Sequence, residues 1–120
     1  MGESKTTPET RAKLEAQPYI DIRKLPVDTT ILVEAEPYIY ELRVLNDLGL
    51  VEVSSNEPRI KGKIVGIYVS GDYDSDDKVT LEWKLTAGVK MHFWFHSCHY
   101  ISAPMNSARV IGKGYHYDVF

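Results

Sequence analysis

The feature that most constrains this chain is a series of short runs rich in Val, Ile, Tyr, Phe and Trp, broken about every 8 to 12 residues by Gly, Asn, Asp, Ser or Pro. Within the runs apolar and polar residues alternate, and a period of two places successive side chains on opposite faces of a pleated strand. The pattern predicts an all-β fold: a small antiparallel β-barrel or compressed β-sandwich of six to eight strands, with a short N-terminal arm or helix.

Ile31 to Ala35 and Tyr38 to Leu45 read as strands, the second with Tyr40, Leu42 and Val44 inward and Glu41 and Arg43 outward. Asn46-Asp47-Leu48-Gly49 supplies a turn, and Leu50 to Ser54 returns as a hairpin. Arg59 to Ser70 reads as one long strand, with Lys61, Lys63, Val65, Ile67 and Val69 on its outer face. Its Gly62 and Gly66 mark a bulge, a bend, or the close approach of an aromatic ring. Val79, Leu81, Trp83 and Leu85 alternate as a single half-buried strand. Lys90 to His96 turns Met91, Phe93 and Phe95 inward and His92, Trp94 and His96 outward; Ala108 to Ile111 and Tyr115 to Val119 complete the sheet.

Residues 1–18 form a polar arm ahead of a single β domain at 19–120. Thr7 before Pro8 offers a cap and a first helical position, so a helix is expected through Glu15 until Gln17-Pro18 interrupts it. With Ala12, Leu14 and Ala16 as its scattered apolar groups, the arm needs a surface to order on, its own domain or a neighbouring chain.

Charge narrows the partners. The chain's 120 residues hold 14 Lys and Arg against 17 Asp and Glu, a formal net charge of -3, which lacks the basic excess that counterion release from nucleic acid requires. No stretch approaches the roughly 18 apolar residues of a membrane span. Cys98, the single cysteine, cannot form an internal disulfide, so the expected setting is the cytoplasm or a particle assembled there.

All four histidines lie at or beyond position 92, close in sequence to Cys98. Imidazole and thiolate are transition-metal ligands, and His96, Cys98, His99 and His116 form a candidate set, although no Cys-x-x-Cys or His-Glu-x-x-His spacing accompanies them. Asp72, Asp74 and Asp76 reproduce the alternating carboxylates that begin a calcium loop. Asp77 stands where that loop wants glycine, and Trp83 where it wants a bidentate glutamate. The expectation is therefore no cofactor, with calcium or a transition metal as the alternative.

Trp94 alternates with His92 and His96, and Val65 and Ile67 emerge on the outer face of another strand; together these residues are the candidate interface. The functional expectation is a non-catalytic protein-interaction or assembly module acting as an oligomer, an accessory, regulatory or virion-type component whose partner is itself or another protein. The alternative is a β-barrel that binds a small ligand or a metal through the C-terminal His/Cys cluster and, in its strongest form, is an enzyme.

Overall fold

Alternation becomes strand after strand in the computed structural model, which describes residues 6–74, 78–96 and 98–120. Among the described residues one α-helix, α1 (Thr6–Glu15), precedes β1 (Tyr19–Asp21), β2 (Thr30–Ala35), β3 (Tyr38–Val44), β4 (Leu50–Ser55), β5 (Ile64–Asp74), β6 (Lys78–Glu82), β7 (Lys84–Thr86), β8 (Lys90–Phe95), β9 (Cys98–Pro104), β10 (Ser107–Gly112) and β11 (Tyr115–Asp118). The main antiparallel sheet runs β11-β10-β2-β3-β4-β5-β8-β9, with β6 also on β5, while β1 and β7 pair as a separate ribbon. This is the sandwich-like form of the expected all-β fold, and the sheet is not closed into a barrel.

The described residues hold eleven strands where the pattern predicted six to eight, and Trp83 accounts for part of the difference. Its φ of 64° lies in the left-handed region and divides the predicted Val79–Leu85 strand in two. β6 stays on β5, whereas β7 turns to pair with β1, Ile20 opposite Leu85. The residue is held on both sides: Trp83 N donates to the Val69 carbonyl at 3.3 Å and Ile22 N donates to the Trp83 carbonyl at 2.9 Å. Val69 is the bulged residue of β5, where the pairing with β8 shifts between Tyr68 and Ser70.

The core is the inner face of the curled sheet. Ile31 and Val33 of β2, Tyr40, Leu42 and Val44 of β3, Val51 and Val53 of β4, Tyr68 of β5 and Met91 and Phe93 of β8 are all buried, each at the parity the alternation predicts. Gly66 explains itself here: a Cβ would collide with the Phe95 ring and lie 2.7 Å from the Trp94 carbonyl, so glycine lets two neighbouring strands and a stacked ring close up. At the turn before β4, Asn46 Oδ1 accepts from the amides of Leu48 and Leu50, and Gly49 takes a φ of 88°.

Two sequence expectations are corrected. Arg59, Lys61 and Lys63 are not on a strand; β5 begins at Ile64, and the preceding segment is a loop folded by the buried Glu57. Cys98 to Pro104 forms β9, paired in register with β8. The arm packs on its own domain: Leu14 is buried, Arg11 donates to the Thr80 carbonyl at 2.9 Å, and Thr86 Oγ1 donates to the Pro18 carbonyl at 2.7 Å.

Candidate functional site

Antiparallel register builds a continuous outer row from four separate strands. Leu50 of β4 lies opposite Ile67 of β5, Ile67 opposite Trp94 of β8, and Trp94 opposite His99 of β9. Val65 flanks Ile67 on β5, and Ile101 flanks His99 on β9, opposite His92. Val65, Ile67, Trp94 and Ile101 are between 39 and 47 % exposed, which is a contiguous apolar surface and not a scatter of single residues.

The imidazoles are locked into this face. His92 Nε2 and His99 Nδ1 share a hydrogen bond at 3.0 Å, their ring centroids are 4.8 Å apart, and the Trp94 ring stands edge-on to His99 at 3.6 Å. Strand geometry explains the pairing, because His92 and His99 are diagonal neighbours across the β8–β9 hairpin. A bulge on β9, where Ser102 and Ala103 together oppose Met91, adjusts the register there, and the Met91 amide donates to Ser102 Oγ at 2.8 Å.

The sequence-predicted interface is thus partly rearranged. Trp94, His92, Val65 and Ile67 share the outer face, whereas His96 sits in the β8–β9 turn with a φ of 53°. His99, Ile101 and Leu50 join the face instead. For His99 and Ile101 the signal is the alternation of β9 itself, with Tyr100 and Ser102 buried and His99 and Ile101 exposed; Leu50 joins only through the β4–β5 register, which no local signal carries.

The candidate metal set is dispersed. His116 lies on β11, opposite Ile111, at the other end of the sheet order from His99 on β9. Cys98 is exposed beside Phe95 across the hairpin. Among the described residues no group of three or more His, Cys, Asp and Glu is placed to hold a metal ion. Asp72 and Asp74 belong to extended β5, opposite Thr80 and Lys78, and Asp76 lies outside the described residues.

On the inner side of the same hairpin is a polar network that the sequence did not announce. The Tyr100 hydroxyl donates to Glu57 Oε2 at 2.6 Å, and its oxygen is 2.5 Å from the Tyr40 hydroxyl. With the Tyr100 hydrogen committed to the carboxylate, Tyr40 is the donor in that second bond. Arg59 closes the network: its amide and its Nε donate to the two Glu57 oxygens at 2.8 and 2.9 Å, and its guanidinium lies 4.7 Å from the Tyr100 ring centroid. Burial opposes ionisation of Glu57, but the bonds from Tyr100 and Arg59 outweigh it and bring the carboxyl below its ordinary value. Burial first, then Glu57 and Tyr40, raise the Tyr100 phenol above its own. Tyr40 and Tyr100 therefore lie on the inner face of the sheet, and His92 and His99 on its outer face.

Clefts open elsewhere. One of about 540 Å³ lies between α1 and the β1–β7 ribbon, where Arg23 covers the Trp83 ring at 5.0 Å and Lys84 covers Tyr19 at 4.9 Å. Another of about 600 Å³ is bounded by Leu32, Ile39, Arg109 and Phe120. Arg109 pairs there with Asp118 at 2.8 Å. Among the described residues no helix is long and apolar enough to cross a membrane.

Comparison with protein-family models, with curated proteins and with solved structures gives no match. The outer face is accordingly read from its own chemistry.

Proposed function

We propose that the protein is an interaction and assembly module that associates with a second copy of itself through the outer face of β4, β5, β8 and β9. The observation that carries this reading is the row Leu50–Ile67–Trp94–His99, apolar or aromatic at every step across four adjacent strands. An exposed sheet face normally alternates toward charge, so a row of Leu50, Ile67 and Trp94 with Val65 and Ile101 beside it favours burial against a partner.

Trp94 is the anchor of the reading. Tryptophan combines a large contact area with few rotatable bonds and is enriched among the residues that dominate interface energy. His99 holds the indole from one side, which lowers the ordering cost of docking.

The test is mass in solution by light scattering over a range of concentrations. The wild-type chain is expected to reach twice its chain mass, and Trp94→Ala to shift that transition to higher concentration with its unfolding midpoint little changed. A wild-type chain that keeps its monomer mass throughout overturns the proposal.

A further inference from the structure

The cleft between α1 and the β1–β7 ribbon gathers cations from three parts of the chain. Arg11 reaches it from α1, Arg23 and Lys24 from the turn after β1, and Lys84 from β7. Its walls hold four cations against three carboxylates, in a chain whose formal net charge is -3. Its volume of about 540 Å³ is that of a small-molecule site. We propose that this cleft binds a small phosphate ester, with the phosphate held by Arg23, Lys24 and Lys84 and with Arg11 on the α1 side.

Two of the cations are set in place by aromatic rings. The Arg23 guanidinium lies 5.0 Å from the Trp83 ring centroid, and the Lys84 ammonium 4.9 Å from that of Tyr19. A ring face holds a cation without using up all of its N–H donors, and the rest are left for an anion. The left-handed backbone at Trp83 builds the wall: it parts β6 from β7, so that Glu82 and Lys84 both line the cleft. A bulky residue held in so sparsely populated a conformation is a feature of ligand sites. Phosphate suits donors arriving from three segments, because its oxygens spread charge in several directions, whereas a carboxylate presents one planar edge.

The carboxylates leave room for an anion. Asp21 is buried, and its Oδ1 accepts from the Arg23 amide at 3.0 Å and stands 3.6 Å from Arg23 Nε, which fixes the guanidinium against the ring. Glu15 stands 3.7 Å from Arg11 in an exposed pair, weak enough for a phosphate to displace. Among the described residues no carboxylate lies within 4.0 Å of the Lys24 or Lys84 ammonium. Glu82 is the group that opposes binding.

The experiment titrates the whole chain, labelled with nitrogen-15, with inorganic pyrophosphate and separately with citrate. The chain has two tryptophans, so the indole N–H signals of Trp83 and Trp94 report the cleft and the outer face separately. Pyrophosphate is expected to move the Trp83 signal saturably and leave that of Trp94 in place, and citrate to bind at least tenfold more weakly. Arg23→Gln and Lys84→Gln should each weaken pyrophosphate binding at least tenfold, and Lys61→Gln, in the loop before β5, should leave it unchanged. Glu82→Gln should tighten it about twofold or more, since a negative charge leaves the cleft. If Arg23→Gln lowers the unfolding midpoint, Lys84→Gln decides.

A Trp83 signal that does not move saturably overturns the proposal, as does a loss in Lys61→Gln equal to that in Lys84→Gln. Citrate bound as tightly as pyrophosphate overturns the phosphate assignment, and weaker pyrophosphate binding in Glu82→Gln overturns the anion site. The cleft shares no residue with the row Leu50–Ile67–Trp94–His99, so its failure leaves the assembly reading untouched.

Discussion

His99 and Tyr100 are neighbours on β9, yet they take part in two different kinds of polar network. Tyr100 points inward, where its hydroxyl, Tyr40 and Glu57 are buried and every partner is protein. His99 points outward, where its bond to His92 lies within reach of water. Inside, breaking a bond leaves a desolvated group without a partner and costs about 1 to 3 kcal/mol; outside, water replaces the partner and folding changes little. A single strand thus separates what holds the fold from what is available for binding.

The comparison is broken most severely by Tyr100→Ala. It removes a ring packed against Phe93 and Phe95 at centroid distances of 6.4 and 5.9 Å and leaves Glu57 and Tyr40 without their shared partner. A loss of about 3 to 5 kcal/mol is expected in urea unfolding. The corresponding outward change, Trp94→Ala, should weaken self-association by about 2 kcal/mol, roughly thirty-fold, while unfolding of the dilute monomer moves by less than about 1 kcal/mol. If unfolding absorbs the larger share, the two faces are not separable.

Glu57→Gln sharpens the contrast through pH. The Glu57 carboxyl ionises below its ordinary value of 4.5, so its contribution to stability is present above that pH and is lost as pH falls through the lower folded-state value. The variant should be about 1 to 3 kcal/mol less stable at pH 7. Its difference from wild type should narrow as acid is added, read from unfolding curves between pH 7 and pH 3. A gap that stays constant across that range would mean that the charge is not what the network uses. Tyr40→Phe is the mildest cut, removing only the terminal donor, and about 1 kcal/mol is expected.

The fold was legible because alternation is a local signal. Tyr40, Leu42 and Val44, and likewise Met91, Phe93 and Phe95, could be placed inward from spacing alone. Trp83 shows where that logic stops: the Val79 to Leu85 alternation is unbroken, and only the hydrogen bonds from Ile22 and to Val69 impose the turn. The site was half legible. Trp94, His92, Val65 and Ile67 follow from parity, but the adjacency of Leu50, Ile67, Trp94 and His99 depends on strand order and register, which are long-range properties. Glu57 carries no sequence signal, since a glutamate between Asn56 and Pro58 reads as a solvated turn. Its burial is caused by Tyr100, which lies far along the chain.

Ile67→Lys tests the separation of the two faces most directly, because it places a charge in the middle of the outer row and touches nothing in the inner network. Sedimentation equilibrium and urea unfolding, run on the same preparation, read both properties at once. The account predicts that wild type dimerises, that the variant stays monomeric, and that the two unfold alike at dilutions where both are monomers. A variant that still dimerises like wild type, or a wild-type chain that never dimerises, contradicts it.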